Sequence, residues 1–101
     1  MSLFVIIGHD VAESTELRQA TRPAHIARLK ELESEGRLVI AGPNPVNHEA
    51  SEMSGSIIIA AFDSLQTAQD WANNDPYFTA GVYSHVEIKP FIQALPQVVA
   101  S

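Results

Sequence analysis

The chain has 101 residues, 46% hydrophobic and 18% charged, which is enough apolar material for one modest core. Its formal charge of −6, with only six Lys and Arg, argues against nucleic acid or an anionic membrane as partner, since both recruit a basic surface. It has no cysteine, which excludes a disulfide scaffold, a zinc–thiolate site and thiol catalysis.

Residues 3–9, LFVIIGH, are a short apolar run rich in branched side chains, predicted as a first strand. Residues 10–15 are polar and loop-like. A helix is predicted over 23–35. Pro23 suits a first helical position, where its missing N–H is not needed, and Gly36 suits the stop. Residues 16–21 read as an earlier helical turn, broken before Pro23. Residues 37–41 are a second strand. Residues 42–54, GPNPVNHEASEMS, read as a polar loop approaching the length at which loops are usually functional or mobile. Residues 56–62, SIIIAAF, are a third strand. Asp63 or Ser64 caps a second helix, with Gln66 three residues after Asp63 as in a capping box. Leu65, Ala68, Trp71 and Ala72 form its apolar stripe, and it ends at Asn73-Asn74. Asp75-Pro76 opens one short turn ending at Gly81, and residues 82–91 are a fourth strand.

The N-terminus, MSLFVIIGHD, lacks the positive start and the length of a secretory signal, and no apolar run approaches ~20 residues. The expectation is a soluble cytoplasmic protein that does not contact a membrane, folded as one domain over 1–101. The order βαββαβ predicts an α+β, ferredoxin-like fold, an antiparallel sheet with two helices on one face. Strand 1 is apolar at Leu3, Val5 and Ile7, but also at Phe4 and Ile6. Strand 3 is apolar at Ile57 and Ile59, but also at Ile58, Ala60 and Phe62. Strands apolar on both sides are buried on both sides, and two helices cover only one. A second copy packed on the other face, in a symmetric homodimer, is expected. The alternative is that the 43–54 loop and the tail IQALPQVVAS cover it.

His25 sits where the helix pattern asks for an apolar residue. It shares one face with Leu29, Leu32 and Gly36. In a βαββαβ sheet, one edge collects His9, Asp10, Arg22, His25, the 43–54 loop, Ser56, Asn74, Asp75, Tyr77 and Tyr83, so a cleft is expected there. The sharpest pair is His25 with Asp75. A carboxylate beside an imidazole fixes its tautomer, as general acid–base chemistry requires. The plainer readings are a core histidine and an Asp that only caps the turn before Pro76. Arg22 is read either as a substrate contact or as the ion-pair partner of Glu16 or Asp10. Ser56 and Tyr83 are read as ligand hydrogen-bonding residues or as strand-end filling. A hydrolase built on Ser56, His25 and Asp75 lacks a G-x-S-x-G elbow. The histidines at 9, 25, 48 and 85 have no H-x₃-H spacing, so no metal is expected, and no Gly-rich loop supports a nucleotide. Trp71 and Phe62 are most simply core.

Four segments together carry a family resemblance: RPAHIARL at 22–29, EGRLVIAGP at 35–43, SGSIIIAAFDSLQTAQDWANNDPY at 54–77 and AGVYSHVEIKPF at 80–91. With R-P-x-H, G-R-L-x-x-A-G-P, G-S and D-P-Y, the chain resembles the YCII-related (YciI-like) family over nearly its whole length outside the 43–54 loop and the tail. The resemblance implies a ferredoxin-like fold that dimerises through its sheets into a dimeric α/β barrel. It also implies a His–Asp active-site pair, which falls on His25 and Asp75. One branch of the family resembles enzymes that remove chloride from hydroxylated aromatic rings, and the fold is shared with muconolactone-isomerase-like proteins and cofactor-free monooxygenases.

Two functions stay open. The first is a small lyase- or isomerase-type enzyme without metal or organic cofactor. In it His25 and Asp75 do acid–base work on a small polar, aromatic or enolic molecule positioned by Arg22, Ser56 and Tyr83. The second is a non-catalytic dimer that binds a small ligand or is purely structural.

Overall fold

The computed structural model describes residues 1–98, so the end of the tail named above as a cover for the sheet lies outside the described residues. Four strands, β1 (Ser2–Asp10), β2 (Leu38–Pro45), β3 (Met53–Phe62) and β4 (Tyr83–Pro90), form one antiparallel sheet in the order β2-β3-β1-β4. The helices are α1 (Thr15–Ser34), α2 (Leu65–Asn73) and the short α3 (Pro76–Thr79). This is the ferredoxin-like arrangement expected from the element order.

Strict alternation along the two central strands builds the core. Phe4 and Ile6 of β1 and Ile58, Ala60 and Phe62 of β3 point to the helix side, where Leu29 and Leu32 of α1 and Ala68 and Ala72 of α2 meet them. The alternate set, Leu3, Val5, Ile7, Ile57 and Ile59, lies on the opposite face and is only half-buried. Ile40 of β2 is 61% exposed. Phe62 and Trp71 pack together as core residues, with ring centroids 5.9 Å apart. Arg28 ties α1 to α2 by donating to the Trp71 carbonyl at 2.8 Å while lying over its ring.

Four local expectations are corrected. First, α1 does not begin at Pro23 but runs through it from Thr15. An interior proline removes one backbone bond, here to the carbonyl of Gln19, which is exposed and can meet water. The first turns are held instead by Arg18, whose buried tertiary bonds outweigh that loss. Second, the 42–54 loop is mostly strand: β2 continues to Pro45 and β3 starts at Met53, leaving residues 46–52 as the connection. Pro43 and Pro45 are tolerated because β2 is an edge strand, where a missing N–H need not break a ladder. Third, the capping box of α2 is Ser64 with Thr67. Ser64 Oγ accepts from the Thr67 backbone N–H at 3.1 Å and Thr67 Oγ1 accepts from the Ser64 N–H at 3.0 Å. Gln66 instead donates to Asp70. Fourth, Leu65 is exposed and does not join the stripe of Ala68 and Ala72. At the far end of α1, Gly36 adopts φ +71°, the left-handed stop expected of it.

Candidate active site

The sheet edge where β1 ends and α1 begins gathers the polar residues. His25 faces inward from α1 with 4% exposure, and Asp75, 2% exposed, arrives from the N-terminus of α3. His25 Nδ1 lies 2.8 Å and 3.0 Å from the two carboxylate oxygens of Asp75. An ionised carboxylate only accepts, so Nδ1 carries a proton, and in the neutral imidazole Nε2 keeps its lone pair. Asp75 Oδ1 also accepts from the Tyr77 backbone N–H at 2.9 Å. Asp75 is thus both the cap of α3 and the partner of His25, so the two sequence readings of this residue hold together. Tyr77 stacks on the His25 ring at 3.8 Å, with 14° between planes, and fixes its orientation from the other side.

A buried ion pair supports this wall. Arg18 donates from Nε to Asp10 Oδ2 at 2.7 Å, and from Nη2 to Asp10 Oδ1 at 3.2 Å, the Gly55 carbonyl at 2.8 Å and Ser56 Oγ at 2.6 Å. Ser14 donates to the same Asp10 carboxylate at 2.6 Å. Burial opposes the Arg18 charge, but the hydrogen bonds and charge of Asp10 outweigh it, so its pKa is raised above the ordinary arginine value. The guanidinium lies 4.7 Å from the Tyr77 ring centroid. Sequence reasoning offered Asp10 to Arg22, and the fold gives it to Arg18. The signal was present: Arg18, Arg22, His25, Leu29 and Leu32 continue one helical face, and only the expected break at Pro23 hid its first member.

Arg22, by contrast, is exposed and has no ion-pair partner among the described residues. It stands with His25, Ser56, Tyr77 and Pro43 around a cleft of about 140 Å³. A second hollow of about 170 Å³ shares Arg18, Arg22, Pro43 and Tyr77 and reaches Ser51 and Met53. Ser56 therefore lines the cleft as expected, with its oxygen already engaged by Arg18. Tyr83 stands behind Tyr77, edge to face at 5.6 Å, rather than on the cleft wall. Its hydroxyl is buried and has no hydrogen-bond partner among the described residues. Burial pushes its pKa far up, and Ser56 stands near enough to temper the rise without reaching hydrogen-bond geometry.

The profile of the YCII-related domain family matches residues 2–92. The chain belongs to that family. It is 52% identical over 93 residues to protein YciI of Escherichia coli, a match covering 88% of this chain and 95% of that protein. An uncharacterised protein of Haemophilus influenzae is 48% identical over 92 residues, covering 87% and 94% of the two chains. Among solved structures, 5-chloro-2-hydroxyhydroquinone dehydrochlorinase of Burkholderia phenoliruptrix, in complex with 2,5-dihydroxybenzoquinone, superposes with a TM-score of 0.82 at 24% identity. That match covers 91% of this YCII-family chain and 95% of the dehydrochlorinase. It supports the same fold. No described helix of the chain is long and apolar enough to cross a membrane.

Proposed function

We propose that the chain is a small acid–base enzyme acting on a hydroxylated aromatic or enolic molecule, with His25 as the proton-transferring group and Asp75 as its orienting partner. The observation that carries this reading is the His25–Asp75 contact on the wall of a cleft that also presents an unpaired arginine. With Nδ1 held by Asp75, His25 Nε2 takes a proton from a substrate hydroxyl or acidic C–H. The oxyanion that results faces Arg22, which has no competing carboxylate among the described residues. The electron pair then either expels a leaving group such as chloride or takes the proton back at another carbon, giving a lyase or an isomerase. Ser56 lines the same wall, while Tyr83 packs behind Tyr77 and supports that wall from outside the cleft. None of these steps calls on a metal or an organic cofactor. A volume of about 140 Å³ suits one six-membered ring, since a cavity of about 150 Å³ accepts benzene. The 2,5-dihydroxybenzoquinone bound by the structural neighbour is likewise a single six-membered ring.

A positioned general base supplies about 10²–10⁴-fold, which suits a step that is already facile. The test is turnover of chlorinated hydroquinones and small enolic acids by the wild type and His25→Ala. Loss of about 10²-fold or more, in a variant that still folds, supports the enzyme. Tight ligand binding without turnover in either protein supports the binding-module reading instead.

We also propose that the half-buried apolar face of the sheet packs on a second copy, as the two-sided apolar strands imply. In this reading, wild type sediments as a dimer and Ile59→Glu as a monomer. A monomeric wild type removes it.

A further inference from the structure

The same open face of the sheet carries a second cluster, on the opposite side from the cleft. His9 of β1 and His85 of β4 are direct cross-strand partners, and their rings stack at 4.4 Å with 11° between planes. Glu87 lies two residues along β4, hence on the same face, with Oε1 2.7 Å from His9 Nε2. One possible ligand atom from each of the three lies within 4.8 Å of the others.

Ser84 sets the state of the third member. Its hydroxyl has one proton, which it gives to the His9 carbonyl at 3.1 Å. Toward His85 Nδ1, 2.9 Å away, it can then only accept. Nδ1 of His85 therefore carries the ring proton, and Nε2 is left with the lone pair that a metal takes. A partner on the far nitrogen is the usual means by which a protein fixes a ligand histidine.

We propose that His9, His85 and Glu87 form a binding site for a divalent cation of the zinc class. Two imidazoles and one carboxylate match that class, whereas calcium and magnesium want all-oxygen sets. The ion takes the place of the Nε2 proton that His9 gives to Glu87; that proton passes through solvent to His9 Nδ1, so the ring stays neutral, and a water fills the fourth position. Ligands ~2.1 Å from a tetrahedral ion stand about 3.4 Å apart, so the side chains must draw together by an ångström or so and the two stacked rings must turn out of their parallel arrangement until their in-plane lone pairs converge. In the single chain the His9 and Glu87 side chains are 38% and 45% exposed, which leaves them this freedom, and the second copy proposed for the same face must leave the cluster accessible. The spacing of histidines along the chain could not show the set, since His9 and His85 meet only through the β1–β4 pairing.

The site stands independently of the cleft chemistry. The test is titration of the tag-free full chain with Co²⁺, read by visible absorption, and with Zn²⁺, read by calorimetry. One ion per chain is expected. His85→Ala and Glu87→Gln each weaken binding at least about tenfold, and Ser84→Ala, which removes only the orienting contact, about tenfold. His25→Ala and His48→Ala leave binding unchanged. Ser84, His85, Glu87 and His48 are exposed, so those variants keep the fold, as circular dichroism checks. His25→Ala alone is at a buried position, and its Zn²⁺ result is read only from folded protein. Absence of uptake by the wild type, uptake that survives loss of His85 and Glu87, or uptake lost with His48 overturns the proposal.

Discussion

The ring of Tyr83 lies directly on the bare α-carbon of Gly8. A Cβ at position 8 would press on the phenol end of the Tyr83 ring, well inside van der Waals contact, so the two residues fit only because Gly8 has no side chain. Gly8 is on β1, one residue from His9, and Tyr83 packs against Tyr77, which stacks on His25. Gly8→Ala is therefore expected to displace Tyr83 and cost about 1–3 kcal/mol, as overpacking does. Urea unfolding measures the loss. Gly8→Ala should cost less in a Tyr83→Ala background than in the wild type, and an equal cost in both would place the strain elsewhere.

Asp75 has two roles, which two variants separate. Asparagine caps a helix about as well as aspartate but carries no charge for His25. Asp75→Asn is expected to cost less than about 1 kcal/mol while impairing proton transfer. Asp75→Ala loses the cap and orphans a buried imidazole, about 2–4 kcal/mol together. Equal losses in the two variants, measured in urea, would show that the fold depends on the charge and not on the cap.

Arg18 and Asp10 form a buried pair with side chains 9% and 1% exposed. Removing one member leaves a desolvated charge behind, so Arg18→Leu is expected to destabilise by about 3–5 kcal/mol. Arg18→Lys keeps the charge but cannot reproduce the fork to Asp10 together with the bonds to Gly55 and Ser56. It should recover only part of the loss. A surface-like cost below about 1 kcal/mol for Arg18→Leu would contradict this placement.

The chain has two tyrosines, Tyr77 and Tyr83, and burial raises the pKa of both. For Tyr77 the neighbouring Arg18 and Arg22 charges oppose that rise without cancelling it. An absorbance titration of the folded protein should therefore show little phenolate near pH 10, where free tyrosine is half ionised. The unfolded chain gives up these protons first. The stabilisation is thus fully present below about pH 10 and is lost as pH rises above it through the folded values. Alkaline unfolding coincident with phenolate formation is the expected record, and normal titration of both residues in the folded state would refute it.

The sequence by itself determined the element order, the two-sided apolar strands, the inward histidine on α1 and the Asp–Pro turn. Alternation with a period of two and spacing with a period of 3.6 are local properties, and βαββαβ admits few compact foldings. Tertiary structure alone decided the rest. Pro23 stays inside α1 because Arg18, in the preceding turn, reaches Asp10, Gly55 and Ser56 on two strands. The prolines of the supposed loop extend β2 because that strand lies at the sheet edge. Tyr83 falls behind Tyr77 instead of on the cleft, and His9 meets His85 from the far end of the chain. Each of these depends on which strands are neighbours, and the energy that fixes it is shared between residues far apart in the chain.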